Sequence, residues 1–245
     1  MRTLAQVAAA CGDDDLVMWA AQDLSRGRVW ACGDAGDAGD AVVAACPGLA
    51  RRDRMAVWGD AAGAARLVEH ALGELGPSFR PLGEADLVAA VASKVAGLVV
   101  AGAFSWMSLA RAPAGGATGG VGWLPPQAEG EVAALLARHA PQSYAVPGMA
   151  GVARWAGVRV GGELASVAAE AWSAPSVGLV AGVATVAAYR GRGLAERVCR
   201  WVAGELVARY GRAALMVDDD NAAALRVYGR LGFTRRRIAA AALAA

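Results

Sequence analysis

The turn Tyr189-Arg190-Gly191-Arg192-Gly193-Leu194-Ala195 constrains this chain more than any other stretch. Ahead of it, Gly178 to Ala188 is uncharged and strand-like. Behind it, Leu194 to about Tyr210 spaces its apolar residues as an amphipathic helix does. Strand, glycine-rich turn and helix start, in that order, make an anion cradle. Glycine turns tightly and presents no side chain to a ligand. The first N–H groups of a helix have no partner inside it and are free to bind an anion.

A second pattern follows downstream. A short strand, Ala213 to Val217, leads through Asp218-Asp219-Asp220 to Asn221, and then to Tyr228-Gly229-Arg230-Leu231-Gly232-Phe233. Arg190-x-x-Gly193-x-Ala195 followed by Asn-(six residues)-Tyr-x-x-Leu-Gly-Phe resembles the GNAT superfamily of acyl-CoA-dependent N-acyltransferases. The resemblance covers roughly Glu129 to Arg237. It implies an α/β (α+β) GNAT fold, a mixed central sheet flanked by helices. It also implies acetyl-CoA as co-substrate, an amine as acceptor, and no metal. The acceptor's identity lies outside what such a likeness carries.

The whole-chain properties fit a globular protein. At 245 residues and 56% hydrophobic content the chain can bury a large core, in one domain or two. A net charge of +2, with arginines scattered apart from Arg51-Arg52 and Arg235-Arg236-Arg237, argues against a nucleic-acid partner. Cys11, Cys32, Cys46 and Cys199 show no metal-binding spacing and read as reduced cysteines of a cytoplasmic protein. His70 and His139 lie far apart in sequence. Ala171 to Tyr189 is uncharged and nearly long enough to span a bilayer, but Pro175 and its glycines fit buried strand better, so no membrane association is expected.

Pro113 and Gly115-Gly116-Ala117-Thr118-Gly119-Gly120 read as a linker. This gives residues 1–112, a linker at 113–122, and a cofactor-binding half at 123–245. In the latter, Glu129 to Ala140 reads as helix, and Val152 to Val160, Leu164 to Trp172 and Val177 to Ala188 as strands. The first half repeats the order in miniature. Arg28 to Cys32, Ala41 to Cys46 and Met55 to Trp58 read as strands, and Asp60 caps a helix running to about Leu75. A short helix, Glu84 to Ser93, and a strand from Leu98 to about Leu109 follow. Asp60 stands where an anion would have to approach. The pattern is similar to the tandem arrangement of glycine N-acyltransferases, with a degenerate first half that binds no CoA.

By the GNAT resemblance, acyl-CoA lies where two parallel strands splay apart, here Gly182 to Val186 and Ala213 to Val217. Backbone groups of Val183, Ala184 and Thr185 hold the pantetheine arm, and the Val183 N–H polarises the thioester carbonyl. The pyrophosphate rests on Gly191, Arg192, Gly193, Leu194, Ala195 and Glu196, with Arg190 and Arg192 adding positive charge. Asn221 contacts the pantetheine, and the Tyr228 hydroxyl protonates the departing thiolate. Glu170, on the preceding strand, is the candidate general base, with Asp218, Asp219 and Asp220 as alternatives. Many GNAT proteins carry His-Pro before the arginine turn; Val186-Ala187 stands here, which removes that histidine. The expected activity is direct acyl transfer to a primary amine of a small molecule. The alternative is a catalytically silent acyl-CoA-binding regulatory module.

Overall fold

The computed structural model describes residues 1–33 and 40–244. The chain divides into two compact units, one of residues 1–106 with 236–245 and the other of residues 107–235. The division does not fall in the glycine-rich stretch, and the last ten residues return to the first unit.

In the first unit, helices α1 (Leu4–Cys11) and α2 (Asp15–Ala20) precede strands β1 (Arg28–Cys32), β2 (Ala41–Leu49) and β3 (Arg52–Gly59). Helix α3 (Ala61–Leu75), strand β4 (Arg80–Glu84), helix α4 (Ala85–Ala92) and strand β5 (Leu98–Leu109) follow. β1, β2 and β3 are antiparallel neighbours, and β3 pairs with β4 in parallel. The chain's last strand, β11 (Thr234–Leu243), lies antiparallel to β4, with Ile238 opposite Glu84. Arg236 anchors it, donating to Asp15 at 2.9 Å and to Asp14. A core of Val43, Met55, Val57, Val68, Leu82 and Val88 supports this unit. The two N-terminal helices were not anticipated from the sequence. Their caps are nevertheless written there, Thr3 and Gln6 forming a capping box and Asp14 accepting from Leu16 and Val17 N–H.

The second unit carries the candidate site. Its elements are β6 (Val121–Trp123), α5 (Glu129–His139), β7 (Val152–Val160), β8 (Glu163–Ala171), β9 (Gly178–Thr185), α6 (Leu194–Tyr210), β10 (Ala213–Val217) and α7 (Ala222–Arg230). Its sheet runs β10-β9-β8-β7-β6, with β9 and β10 parallel and the other pairs antiparallel. The sequence pattern explains the layers. Leu194, Val198, Val202 and Leu206 recur at four-residue intervals, so one stripe of α6 is buried and packs on β8 and β9. Each such side chain stabilises the fold by about 1.5–3 kcal/mol. From Leu164 onward β8 is buried on both faces, which is why it reads as an unbroken apolar run.

Residues 113–122, expected from the sequence as a linker, include contacts with α6. Arg200 of α6 donates to the Ala114 carbonyl at 2.8 Å, and a Cβ at Gly116 would lie 2.6 Å from the Arg200 Nε. The glycines let this strap lie flat on the helix, and Val121–Trp123 then joins the sheet beside β7. Both units run through three antiparallel strands, a helix, a parallel strand and a helix. Among the described residues no helix is long and apolar enough to cross a membrane.

Candidate functional site

The site is built where β9 and β10 part. Their parallel pairing covers Gly178, Leu179 and Val180 against Ala213, Ala214 and Leu215, and goes no further. Beyond Val180 the strand leaves its β10 neighbour and is only partly buried, apart from Ala184. On its other side β9 carries one extra residue. Ala181 faces Ala169 and Ala184 faces Val167, so Gly182 and Val183 stand against Ala168 alone. This is a β-bulge, and its glycine has φ +61°, which β-carbon-bearing residues rarely adopt. A Cβ there would also lie 2.5 Å from the Trp155 ring. The pairing of β9 with β10 ends at Val180, whereas on the β8 side it resumes beyond the bulge, with Thr185 opposite Ser166.

The end of β9 is pinned from beneath. The buried Ser166 hydroxyl donates to the Ala184 carbonyl at 3.0 Å and shares a hydrogen bond of 2.8 Å with the Thr185 hydroxyl. The chain then passes through a 3-10 turn (Ala187–Tyr189) to the glycine-rich segment. Gly191 and Gly193 have φ of +77° and +76°, with nothing within 4 Å of a Cβ built at either. Glycine is needed there for backbone conformation, and the space above it stays open. α6 starts at Leu194 with Gly193 as N-cap and no side chain capping it. The first bond of the helix runs from Arg197 N–H to the Gly193 carbonyl, so the N–H groups of Leu194, Ala195 and Glu196 have no intrahelical acceptor.

The arginines divide their work. Arg190 folds back, donating to the Thr185 carbonyl at 3.3 Å and to the His139 carbonyl at 2.9 Å, so it braces the turn. The exposed Arg192 lies 5.2 Å from the Tyr189 ring centre and supplies open positive charge. Glu196 would oppose an anion, but Arg230 and Arg200 bind its carboxylate at 2.8 and 3.2 Å. Those bonds, Arg230 first, also hold its carboxyl below the usual range. His139 Nδ1 comes to 3.5 Å from the Ala187 N–H. A histidine from α5 thus meets the Val186-Ala187 segment ahead of the glycine-rich turn.

Asn221 caps α7, its Oδ1 accepting from the Ala224 N–H at 3.1 Å, which leaves the amide NH2 as a donor. Tyr228, two turns on, is 7% exposed and packs against Phe233 at 5.9 Å between ring centres. Burial, with Cys199 nearby, pushes its phenol well above its ordinary value. The Cys199 thiol is itself pushed up to about 12 by burial, so it is a neutral core residue.

Glu170, the general base expected from the sequence, is 2% exposed and hydrogen-bonded through both carboxylate oxygens. Oε2 accepts from Arg154 Nε at 2.8 Å, and Oε1 accepts from the Tyr210 hydroxyl at 2.5 Å. Tyr210 is the last residue of α6, about 24 Å along the helix from the cradle at its start. Arg154 in turn stacks 3.6 Å from the Trp123 ring. Glu170 therefore belongs to a cluster that ties the far end of α6 to the sheet. Of the three aspartates, Asp219 binds Arg235 at 2.9 Å, while Asp218 and Asp220 are exposed. No group of three or more metal-capable side chains occurs among the described residues.

Comparison with known proteins bears on the fold. Residues 156–240, from β7 to β11, match the model of the FR47-like protein family. A GCN5-related N-acetyltransferase from Kribbella flavida superposes with a TM-score of 0.58 at 17% identity, over 100% of this chain and 97% of that one. The fold is the GNAT fold. A protein described as a GNAT-family acetyltransferase from Novosphingobium aromaticivorans is 24% identical, with a TM-score of 0.51 over 78% of this chain and 84% of its own. A GNAT acetyltransferase from Colwellia psychrerythraea matches at 10% identity and a TM-score of 0.55, over 98% and 95% of the two chains. No curated protein sequence matches significantly.

Proposed function

We propose that the chain is an acetyl-CoA-dependent N-acetyltransferase acting on a primary amine of a small molecule. The observation that carries this reading is the coincidence of three features within one unit. β9 leaves β10 after Val180, a bulge follows at Gly182, and an uncapped helix start lies beyond two left-handed glycines.

Acetyl-CoA fits these residues. Its pyrophosphate is assigned to the N–H groups of Gly191 to Glu196, where the helix dipole and Arg192 favour negative charge. Its pantetheine arm is assigned to the free edge of β9 at Val183, Ala184 and Thr185, with the Asn221 amide as a further donor. Arg190 contributes by bracing the turn.

The reaction follows from that placement. The amine nitrogen attacks the thioester carbonyl, the C–N bond forms and the C–S bond breaks. The Val183 N–H steadies the developing oxyanion, a contribution of about 3 kcal/mol in acyl transfers of this kind. The thiolate takes the Tyr228 proton and leaves as CoA thiol. The proton shed by nitrogen goes to water, from which the phenol is restored. A phenol whose pKa is raised stays protonated at neutral pH, as an acid must. Glu170 has no part in this scheme because its carboxylate is bonded elsewhere, so the acceptor enters as free amine.

The first unit reads as a degenerate copy. Asp60 Oδ2 accepts from Ala62 and Gly63 N–H at 2.9 Å each, filling the helix start that α6 leaves open. The test is CoA thiol release from acetyl-CoA across amino acids, aminoglycosides, polyamines and peptide amines, with mass measurement of the acetylated product. Turnover with at least one amine supports the enzyme. Binding of acetyl-CoA without turnover on any amine would favour a silent acyl-CoA-binding module.

A further inference from the structure

We infer that Trp155 is a positioning residue for this acyl transfer: the edge of its indole holds the β9 bulge in shape and so fixes where the Val183 N–H points. The inference rests on the role given above to Val183.

The contact is specific. Trp155 lies on β7 opposite Ala169 of β8, and Ala169 lies opposite Ala181 of β9. From two strands away the six-membered ring reaches the bulge, so that a Cβ on Gly182 would stand 2.5 Å from Trp155 Cη2 and 2.9 Å from Cζ3. On the same side it would stand 3.4 Å from the Cβ of the buried Ala145. The indole edge therefore fills the space that a side chain at Gly182 would need, and it backs the bulge on that side.

The choice of tryptophan points the same way. Trp155 is 3% exposed, yet its Nε1–H has no hydrogen-bond partner among the described residues. A buried indole N–H left unmet costs stability. Phenylalanine would fill an apolar site without that cost, but its ring is shorter. What tryptophan adds here is reach, and the reach ends on Gly182. A bulge re-aims its own backbone groups, and Val183 is its second residue.

Trp155→Phe withdraws the ring edge and strands no polar partner. We expect its melting temperature to be held or raised, its acetyl-CoA affinity to stay within about threefold, and its kcat to fall about 10-fold. That is less than the 10²- to 10³-fold typical when an oxyanion donor is removed outright. A tryptophan that merely filled space would show the reverse pattern, a lower melting temperature with unchanged kcat. Amide resonances give a readout independent of activity. Those of Gly182 and Val183 should shift in Trp155→Phe, while those of Leu179 and Val180 stay in place. Gly182→Ala is crowded by the indole, so Trp155→Phe should restore part of the stability that Gly182→Ala loses. Unmoved Gly182 and Val183 resonances, wild-type kcat in the folded variant, or strictly additive effects in the double variant would each overturn the inference. If wild-type protein fails to bind acetyl-CoA, the acyl-transfer reading fails, and the amide resonances still decide the wedge.

Discussion

Tyr210, the last residue of α6, donates its hydroxyl proton to Glu170 Oε1 at 2.5 Å, while Arg154 holds the other oxygen of the same carboxylate. A carboxylate so bonded is a fastening between helix and sheet. Glu170→Gln should therefore leave kcat within about threefold of wild type, whereas loss of a general base typically costs 10²- to 10⁴-fold. Tyr210→Phe should lower unfolding free energy by about 1–2 kcal/mol, the lower part of the range for hydrogen bonds to charged groups because Arg154 is partly exposed. Denaturant melts and steady-state kinetics on both variants check this. A 100-fold loss of kcat in a stable Glu170→Gln protein would reinstate the base.

Tyr228→Phe removes one oxygen from a packed ring. Acetyl-CoA binding should be unchanged and kcat should drop about 10- to 1000-fold. The raised pKa also sets a sign. The protonated phenol is favoured in the folded state, so its contribution to stability is complete below pH about 10 and is lost as pH rises through the higher folded value. In the wild type kcat/KM should climb with pH toward the pKa of the acceptor amine, with no descending limb from Tyr228 below pH about 10. A bell falling at pH 8 that disappears in Tyr228→Phe would contradict this.

The sequence showed the elements of the second unit well because each carries its own local signal. α6 and β10 have the bounds expected from spacing and charge, and Asp60 caps α3 as its position suggested. What stayed hidden depends on contacts between distant residues. Nothing near Glu170 announces that Tyr210 and Arg154, 40 and 16 residues away, take both its oxygens. Nor does any local pattern bring His139 to Ala187, or Trp155 beneath Gly182. The glycine-rich stretch is ambiguous for a related reason. Glycine marks a flexible linker and a strap lying close on a helix alike, and the approach of Arg200 to Ala114 and Gly116 is a contact between distant residues.

Gly193 separates backbone strain from charge. Gly193→Ala places a methyl group in open space at φ +76°, so it should cost about 1–2 kcal/mol in strain and keep most of the acetyl-CoA affinity. Gly193→Glu adds a negative side chain at the helix start, and affinity should fall at least 100-fold in a folded protein. Equal affinities in the two variants would place the pyrophosphate elsewhere.

Titration of acetyl-CoA into the full chain, followed by calorimetry, tests the central claim most directly. α6 begins with open N–H groups and α3 begins with its N–H groups capped by Asp60. The expected result is one acetyl-CoA bound per chain, with binding abolished by Gly193→Glu and untouched by Asp60→Asn. No binding, two sites per chain, or a single site indifferent to Gly193→Glu would contradict the account.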